Sequence, residues 1–115
     1  MSFNDNTPKY QQIMKQIISE IILGTYTDGQ KLPSIRNMAS NASINANTIQ
    51  RALYELECIG LIYNKRGVGR FIIGDKQATE MVQINLAINE IKEFFLTMVT
   101  LGFTDKEIIS MIENF

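Results

Sequence analysis

Two capped helix starts, a short turn between them and a glycine-tipped basic hairpin straight afterwards constrain this chain more than any other feature. Ser34 follows Pro33 and has the chemistry to cap a short helix expected over 35–40. Residues 41–44 read as a turn, and Asn45 caps a second, longer helix. In that helix Ile49, Ala52, Leu53, Leu56 and Ile59 recur on one side. At about 100° per residue, Asn47, Arg51, Tyr54 and Cys58 fall on the other. Gly60 stops it. Leu61-Ile62-Tyr63 and Phe71-Ile72-Ile73 then favour β structure, and Asn64-Lys65-Arg66-Gly67-Val68-Gly69-Arg70 joins them as a hairpin with a basic tip.

The flanks complete the pattern. Thr7 as cap and Pro8 at the first helical position predict an opening helix along which Tyr10, Ile13, Met14, Ile17 and Ile21 recur. Gly24 ends it, residues 24–29 form a loop, and Lys31-Leu32 can make a short strand before Pro33. Helix, short strand, helix, turn, helix, hairpin is the order of a winged helix-turn-helix domain, here expected over 1–75. After Gly74 the pattern changes. Met81, Ile84, Ile88, Ile91, Phe95 and Met98 alternate steps of three and four, predicting one helix from about Lys76 to Leu101. Gly102 stops it, and Thr104-Asp105-Lys106-Glu107 is a capping box that opens a last helix carrying Ile108, Ile109, Met111, Ile112 and Phe115. The expected fold is mainly α with a small β-hairpin, followed over 76–115 by a helical tail. That tail is too short to be a domain, so its apolar stripe, with Ile108 and Ile112, reads as a dimer seam.

Charge divides along the chain in a way that the formal net charge of −1 conceals. Over 29–76, Lys31, Arg36, Arg51, Lys65, Arg66, Arg70 and Lys76 against Glu55, Glu57 and Asp75 leave +4. Over 77–115, Lys92 and Lys106 against Glu80, Glu90, Glu93, Asp105, Glu107 and Glu113 leave −4. The middle segment attracts phosphate and the tail is repelled by it. Catalysis is disfavoured. There is no histidine, Cys58 has no base beside it, and Glu55 and Glu57 are too close in sequence to share a helix face. Gly67-Val68-Gly69 lies in a hairpin rather than before a helix, so it is no phosphate-cradling loop. The same shortage of histidine and cysteine speaks against a metal site or any cofactor. A redox role for Cys58 lacks both a basic neighbour and a second thiol. No apolar run approaches the ~18 residues of a membrane span. The N-terminus lacks a signal-peptide pattern, so a cytoplasmic address is expected.

Three segments carry the candidate chemistry. Ser34 and the first amides of its helix can hold a phosphate, with Arg36 projecting from the same helical start. Taken alone, a capped surface helix with a solvated arginine is the better reading. Asn45, Ala46, Asn47, Thr48, Gln50 and Arg51 place small and amide side chains at the start of a helix that can enter a major groove. Asn and Gln pair with adenine, Ala46 meets a thymine methyl, and Arg51 reaches guanine or phosphate. For Asn45, capping and base reading remain equally open. Lys65, Arg66, Gly67, Gly69 and Arg70 suit a wing lying along the DNA backbone or in the minor groove.

With these residues in place, 10–73 resembles the DNA-binding domain of the GntR family of bacterial regulators. The resemblance is carried by Leu32-Pro33-Ser34-Ile35-Arg36, Asn47-Thr48, Arg51-Ala52, Gly60-Leu61-Ile62 and Arg66-Gly67-Val68-Gly69, together with Tyr10, Ile13, Ile17, Ile21, Gly24, Tyr26, Gly29, Ala39, Asn45 and Leu56. It implies a homodimer that binds a near-palindromic double-stranded operator, as a repressor, with Arg36, the start of the second helix-turn-helix helix and the wing glycines on DNA. The short tail resembles the YtrA-type subfamily, in which it serves dimerisation and which often sits beside transporter genes. Neither residues nor resemblance names a small-molecule effector. Two positions depart from the family pattern: Arg70, where a small residue is usual, and Ala46, where the recognition helix lacks a basic residue. The competing reading is a winged-helix protein-interaction or architectural module without operator recognition; Arg36, Arg51, Lys65 and Arg66 speak against it.

Overall fold

The computed structural model describes residues 7–115. In chain order these form α1 (Lys9–Ile22), α2 (Ile35–Ala42), α3 (Ala46–Cys58), β1 (Ile62–Lys65), β2 (Gly69–Ile72), α4 (Lys76–Thr100) and α5 (Asp105–Glu113). One compact unit runs to Glu80, and a second from Met81 to Phe115.

The first unit is built around α3. Its buried residues Ile49, Ala52, Leu53 and Leu56 follow the helical repeat and meet Ile13, Ile17 and Ile18 of α1, while α2 and β1 also pack on α3. Leu32, Leu61, Ile62 and Ile72 complete this core. Each large side chain enclosed here contributes about 1.5–3 kcal/mol of transfer free energy. The helix-turn-helix and the hairpin base are therefore one packed body.

The two strands are antiparallel, in the register Ile62↔Ile72, Tyr63↔Phe71, Asn64↔Arg70 and Lys65↔Gly69. Tyr63 and Phe71 stack with ring centroids 5.4 Å apart. The segment before α2 flanks β2 on its other side. Lys31 bridges to Phe71, Leu32 N–H donates to the Arg70 carbonyl at 2.8 Å, and Ile72 N–H donates to the Gln30 carbonyl at 2.9 Å. The short strand expected at Lys31-Leu32 is thus a third, minimal rung of the wing.

Several local expectations shift. Pro8 is the N-cap of α1, with no side-chain cap, and its carbonyl takes the first helical bonds from Gln11 and Gln12. Thr7 instead offers its carbonyl to Gln12 Nε2 at 2.8 Å. The helix consequently starts one residue later than a Thr7 cap requires. Ile59 lies just past the end of α3 and is exposed, because leaving the helix takes it off the inward stripe. Strand pairing extends to Lys65 and Gly69, which shortens the seven-residue connection expected over 64–70 to three residues.

In the second unit, the capping box closes as the sequence expects. Thr104 Oγ1 accepts from Glu107 N–H at 3.2 Å, and Glu107 Oε1 accepts from Thr104 N–H at 2.9 Å. Of the apolar residues of α5, only Ile108 is buried. None of the 25 residues of α4 is.

Candidate nucleic-acid interface

The helix-turn-helix corner is set by three local devices. Ser34 sits in extended backbone, and its Oγ accepts from Asn37 N–H at 3.1 Å, which starts α2 and leaves Arg36 exposed on its first turn. Ser43 is left-handed, at φ 53°, and reverses the chain with Ile44 N–H bonded to the Ala39 carbonyl at 3.0 Å. Asn45 then caps α3, its Oδ1 accepting from Asn47 N–H at 2.7 Å. That bond engages Asn45 Oδ1 as the cap, and the amide nitrogen of Asn45 remains a donor. Ala46, Asn47, Gln50 and Arg51 are exposed and Thr48 is half-buried, so the first turns of α3 display a mostly polar surface. Tyr54 continues that surface.

The wing stands beside the start of α2. Lys65, Arg66 and Gly67 are exposed, and the tip closes through a bond from Val68 N–H to the Lys65 carbonyl at 2.9 Å. Gly67 turns the chain at φ +78°, a conformation that side-chain-bearing residues avoid. Gly69 leaves room for another chain segment: a Cβ there would lie 2.7 Å from Lys31 Cε. Residues 31–37 and 68–70 together line an open groove of about 620 Å³. Ser34, Arg36 and two wing residues, Gly69 and Arg70, therefore share one concavity. Lys31 and Val68 belong to it as well. Sequence reasoning did not count them as site residues, although Lys31 lies in the basic middle segment.

Two candidate cations are otherwise engaged. Arg51 lies over the Tyr10 ring of α1, 3.9 Å from guanidinium carbon to centroid. Arg70 pairs with Glu57 on α3 through Nε and Oε2 at 3.2 Å and is only 20% exposed. Arg70, expected among the wing residues that face DNA, here directs its guanidinium to the Glu57 carboxylate. Electrostatics also limit how much of α3 can approach phosphate. Glu55 and Glu57 occupy its C-terminal half, and their charges, after a hydrogen bond and charge from Cys58, help hold the Tyr54 phenol above its usual pKa. The acidic residues of α3 thus lie in its C-terminal half, and the amide side chains of Asn47 and Gln50 in its N-terminal half.

In the second unit, Met81, Ile84, Ile88 and Ile91 are exposed, Phe95 and Met98 are half-buried, and Ile112 is exposed. Ile108 is the exception among the residues assigned to a dimer seam. With 0% of its surface accessible it is enclosed within one chain and has nothing to offer a second copy. Phe94, Leu96 and Val99 are exposed too, so the apolar surface of α4 is wider than the single stripe. Among the described residues, no helix is long and apolar enough to cross a membrane, and no three His, Cys, Asp or Glu side chains converge as a metal site.

Against known proteins, residues 9–72 match the family model described as bacterial regulatory proteins, gntR family. The chain is similar to the HTH-type transcriptional regulator YhcF of Bacillus subtilis, with 34% identity over 98% of this chain and 93% of that protein. It is also similar to the HTH-type transcriptional repressor YtrA of the same organism, with 38% identity over 64% of this chain and 57% of that one. Among solved structures, a GntR family transcriptional regulator from Listeria monocytogenes superposes with a TM-score of 0.78 at 37% identity, covering 98% of this chain and 99% of its own. AraR(DBD), solved in complex with operator ORR3, superposes with a TM-score of 0.55 at 32% identity over 56% of this chain and 78% of its own.

Proposed function

The chain belongs to the gntR family of bacterial regulatory proteins, whose members are DNA-binding regulators of transcription rather than enzymes, and on that premise we propose that it represses transcription by binding a near-palindromic operator as a homodimer. In this reading α3 enters the major groove by its first turns. Asn47 and Gln50 read base edges, Ala46 makes an apolar contact, and Thr48 with the nitrogen of Asn45 supports them. Arg36 reaches the same groove from the start of α2. Lys65 and Arg66 neutralise phosphates along the backbone or minor groove, and Gly67 lets the tip come close.

Dimerisation is assigned to the second unit. Met81, Ile84, Ile88, Ile91, Phe95, Met98 and Ile112 expose a large apolar surface of the kind that marks an interaction site. A two-fold dimer presents two recognition helices to half-sites about 34–36 Å apart, one turn of DNA. A cytoplasmic protein acting near transporter genes follows from the family reading.

The single observation that carries the proposal is the shared face of the first unit: the exposed start of α2, with Arg36, and wing residues 68–70 border one groove, and the AraR(DBD) structure of similar fold was solved with operator DNA. The experiment is enrichment of duplexes from a random pool by the full chain, followed by titration of the enriched and scrambled sequences at two salt concentrations. Affinity for the enriched duplex should exceed that for the scrambled one by about 10³-fold or more. Equal affinities would leave a non-specific architectural module as the better reading.

A further inference from the structure

The last turn of α3 carries two carboxylates, Glu55 and Glu57, and no basic residue. Negative charge at a helix C-terminus opposes the helix dipole, so this end calls for a cation from elsewhere in the fold. Arg70 supplies it from β2, thirteen residues away, through the 3.2 Å bond from its Nε to Glu57 Oε2. The two side chains are 20% and 26% exposed. Arg70 is also a junction in the backbone: it faces Asn64 in the hairpin register, and its carbonyl accepts from Leu32 N–H at 2.8 Å. Beyond it the wing has one more paired rung, Lys65↔Gly69, with Gly69 at φ +147°, and then a three-residue tip turned by Gly67 at φ +78°. A two-stranded ribbon this short is marginal by itself and takes its direction from what its base is fastened to.

We propose that Arg70 is a positioning residue, pinning the wing to the C-terminal end of the recognition helix so that Lys65 and Arg66 meet the same stretch of duplex that α3 reads. The inference rests on the DNA-binding reading above and assigns Arg70 a role other than phosphate contact. A phosphate drawing Arg70 away would have to break the pair and leave Glu57 unneutralised beside the DNA backbone. The two roles give opposite signs at Glu57. If Arg70 binds phosphate, removing Glu57 frees a cation and deletes a repulsive charge, and DNA binding tightens. If Arg70 is a pin, removing Glu57 loosens the wing, and binding weakens despite the deleted negative charge.

The test uses the full chain with Glu57→Ala, Arg70→Ala and the double variant. Amide exchange over residues 66–71 is measured without DNA, and titration is carried out on the enriched duplex at several salt concentrations. Both single variants should exchange faster in the wing than wild type while α1 and α3 keep their protection. Both should bind the enriched duplex about three- to tenfold more weakly, and the double variant no more weakly than either single one. The salt slope should stay at its wild-type value. Tighter binding by Glu57→Ala, or a slope lowered by about one in Arg70→Ala, would overturn the pin in favour of a phosphate contact. A wild-type chain that prefers no duplex would defeat the DNA reading instead. The exchange measurement, which needs no DNA, would still decide on the pin, and unchanged wing protection in both variants refutes it.

Discussion

The Arg51 guanidinium stacks on the Tyr10 ring at 3.9 Å and so joins α3 to α1. A partly exposed cation–π contact of this kind is worth about 0.5–1 kcal/mol. Arg51→Ala and Tyr10→Ala should each lower stability, and a double-mutant cycle should return a coupling of about that size. Tyr10→Phe keeps the ring face and should keep most of the coupling. Denaturant melts of the four variants check this; purely additive losses would mean that the contact contributes nothing.

The caps give a second prediction, with a pH dependence. Glu107 is held below the usual glutamate pKa by its hydrogen bonds, first with the Thr104 backbone N–H and then with the Thr104 hydroxyl. A carboxylate whose folded pKa is depressed stabilises the fold above its unfolded pKa, and that contribution is lost as pH falls through the folded value. The Glu107 titration followed by NMR should therefore have its midpoint below that of an ordinary glutamate, and Thr104→Ala should move it upward. An unshifted midpoint in wild type would mean that the capping box is open in solution.

Gly74 makes the third prediction. It sits at φ +79°, and a Cβ there would lie 2.7 Å from Asp28 Cβ. Gly74→Ala combines backbone strain with a clash that a rigid Cβ cannot swing away from. It should destabilise by about 1–3 kcal/mol. At Gly69 the obstructing atom is the end of the flexible Lys31 side chain, so relieving that clash costs less. A thermal melt of Gly74→Ala that matches wild type would show that the 28–29 loop gives way freely.

What the sequence reveals and what it hides follow from the range of the forces involved. Ser34, Asn45 and Thr104 are legible as caps because a cap is chemistry within three residues. The inward stripe of α3 is legible because Ile49, Ala52, Leu53 and Leu56 obey the helical period. Ile59 breaks the reading because the wheel cannot say where the helix ends. Arg70 and Arg51 look like free cations in sequence. Their partners, Glu57 and Tyr10, are brought to them only by packing of the wing and α1 on α3. Ile108 shows the same limit in the tail: an apolar residue at helical spacing fits a protomer core as well as an interface, and its complete burial decides for the core.

The proposed dimer seam is testable without touching the first unit. Ile84 and Ile91 are 58% and 57% exposed, so a charge at either leaves the single chain's packing intact. Ile84→Glu with Ile91→Glu should convert a dimer to a monomer at micromolar concentration in sedimentation, with α-helical content retained. A dimer that survives both changes would place the seam elsewhere.

Division of labour at the interface gives the sharpest contrast between single residues. Gln50→Ala should cost about 1–3 kcal/mol on the enriched operator and little on scrambled DNA. Arg66→Ala should weaken both by similar factors and lower the salt slope by about one. Arg36→Ala should follow Gln50. An equal loss on both duplexes would make it a phosphate contact and leave the rest of the interface as described.

Chemical footprinting of the full chain on its enriched duplex is the most direct measurement of two-fold operator recognition. We expect two protected half-sites of inverted sequence, centred about one helical turn apart, that fill together as protein is added. A single protected half-site, or uniform protection regardless of sequence, would contradict it.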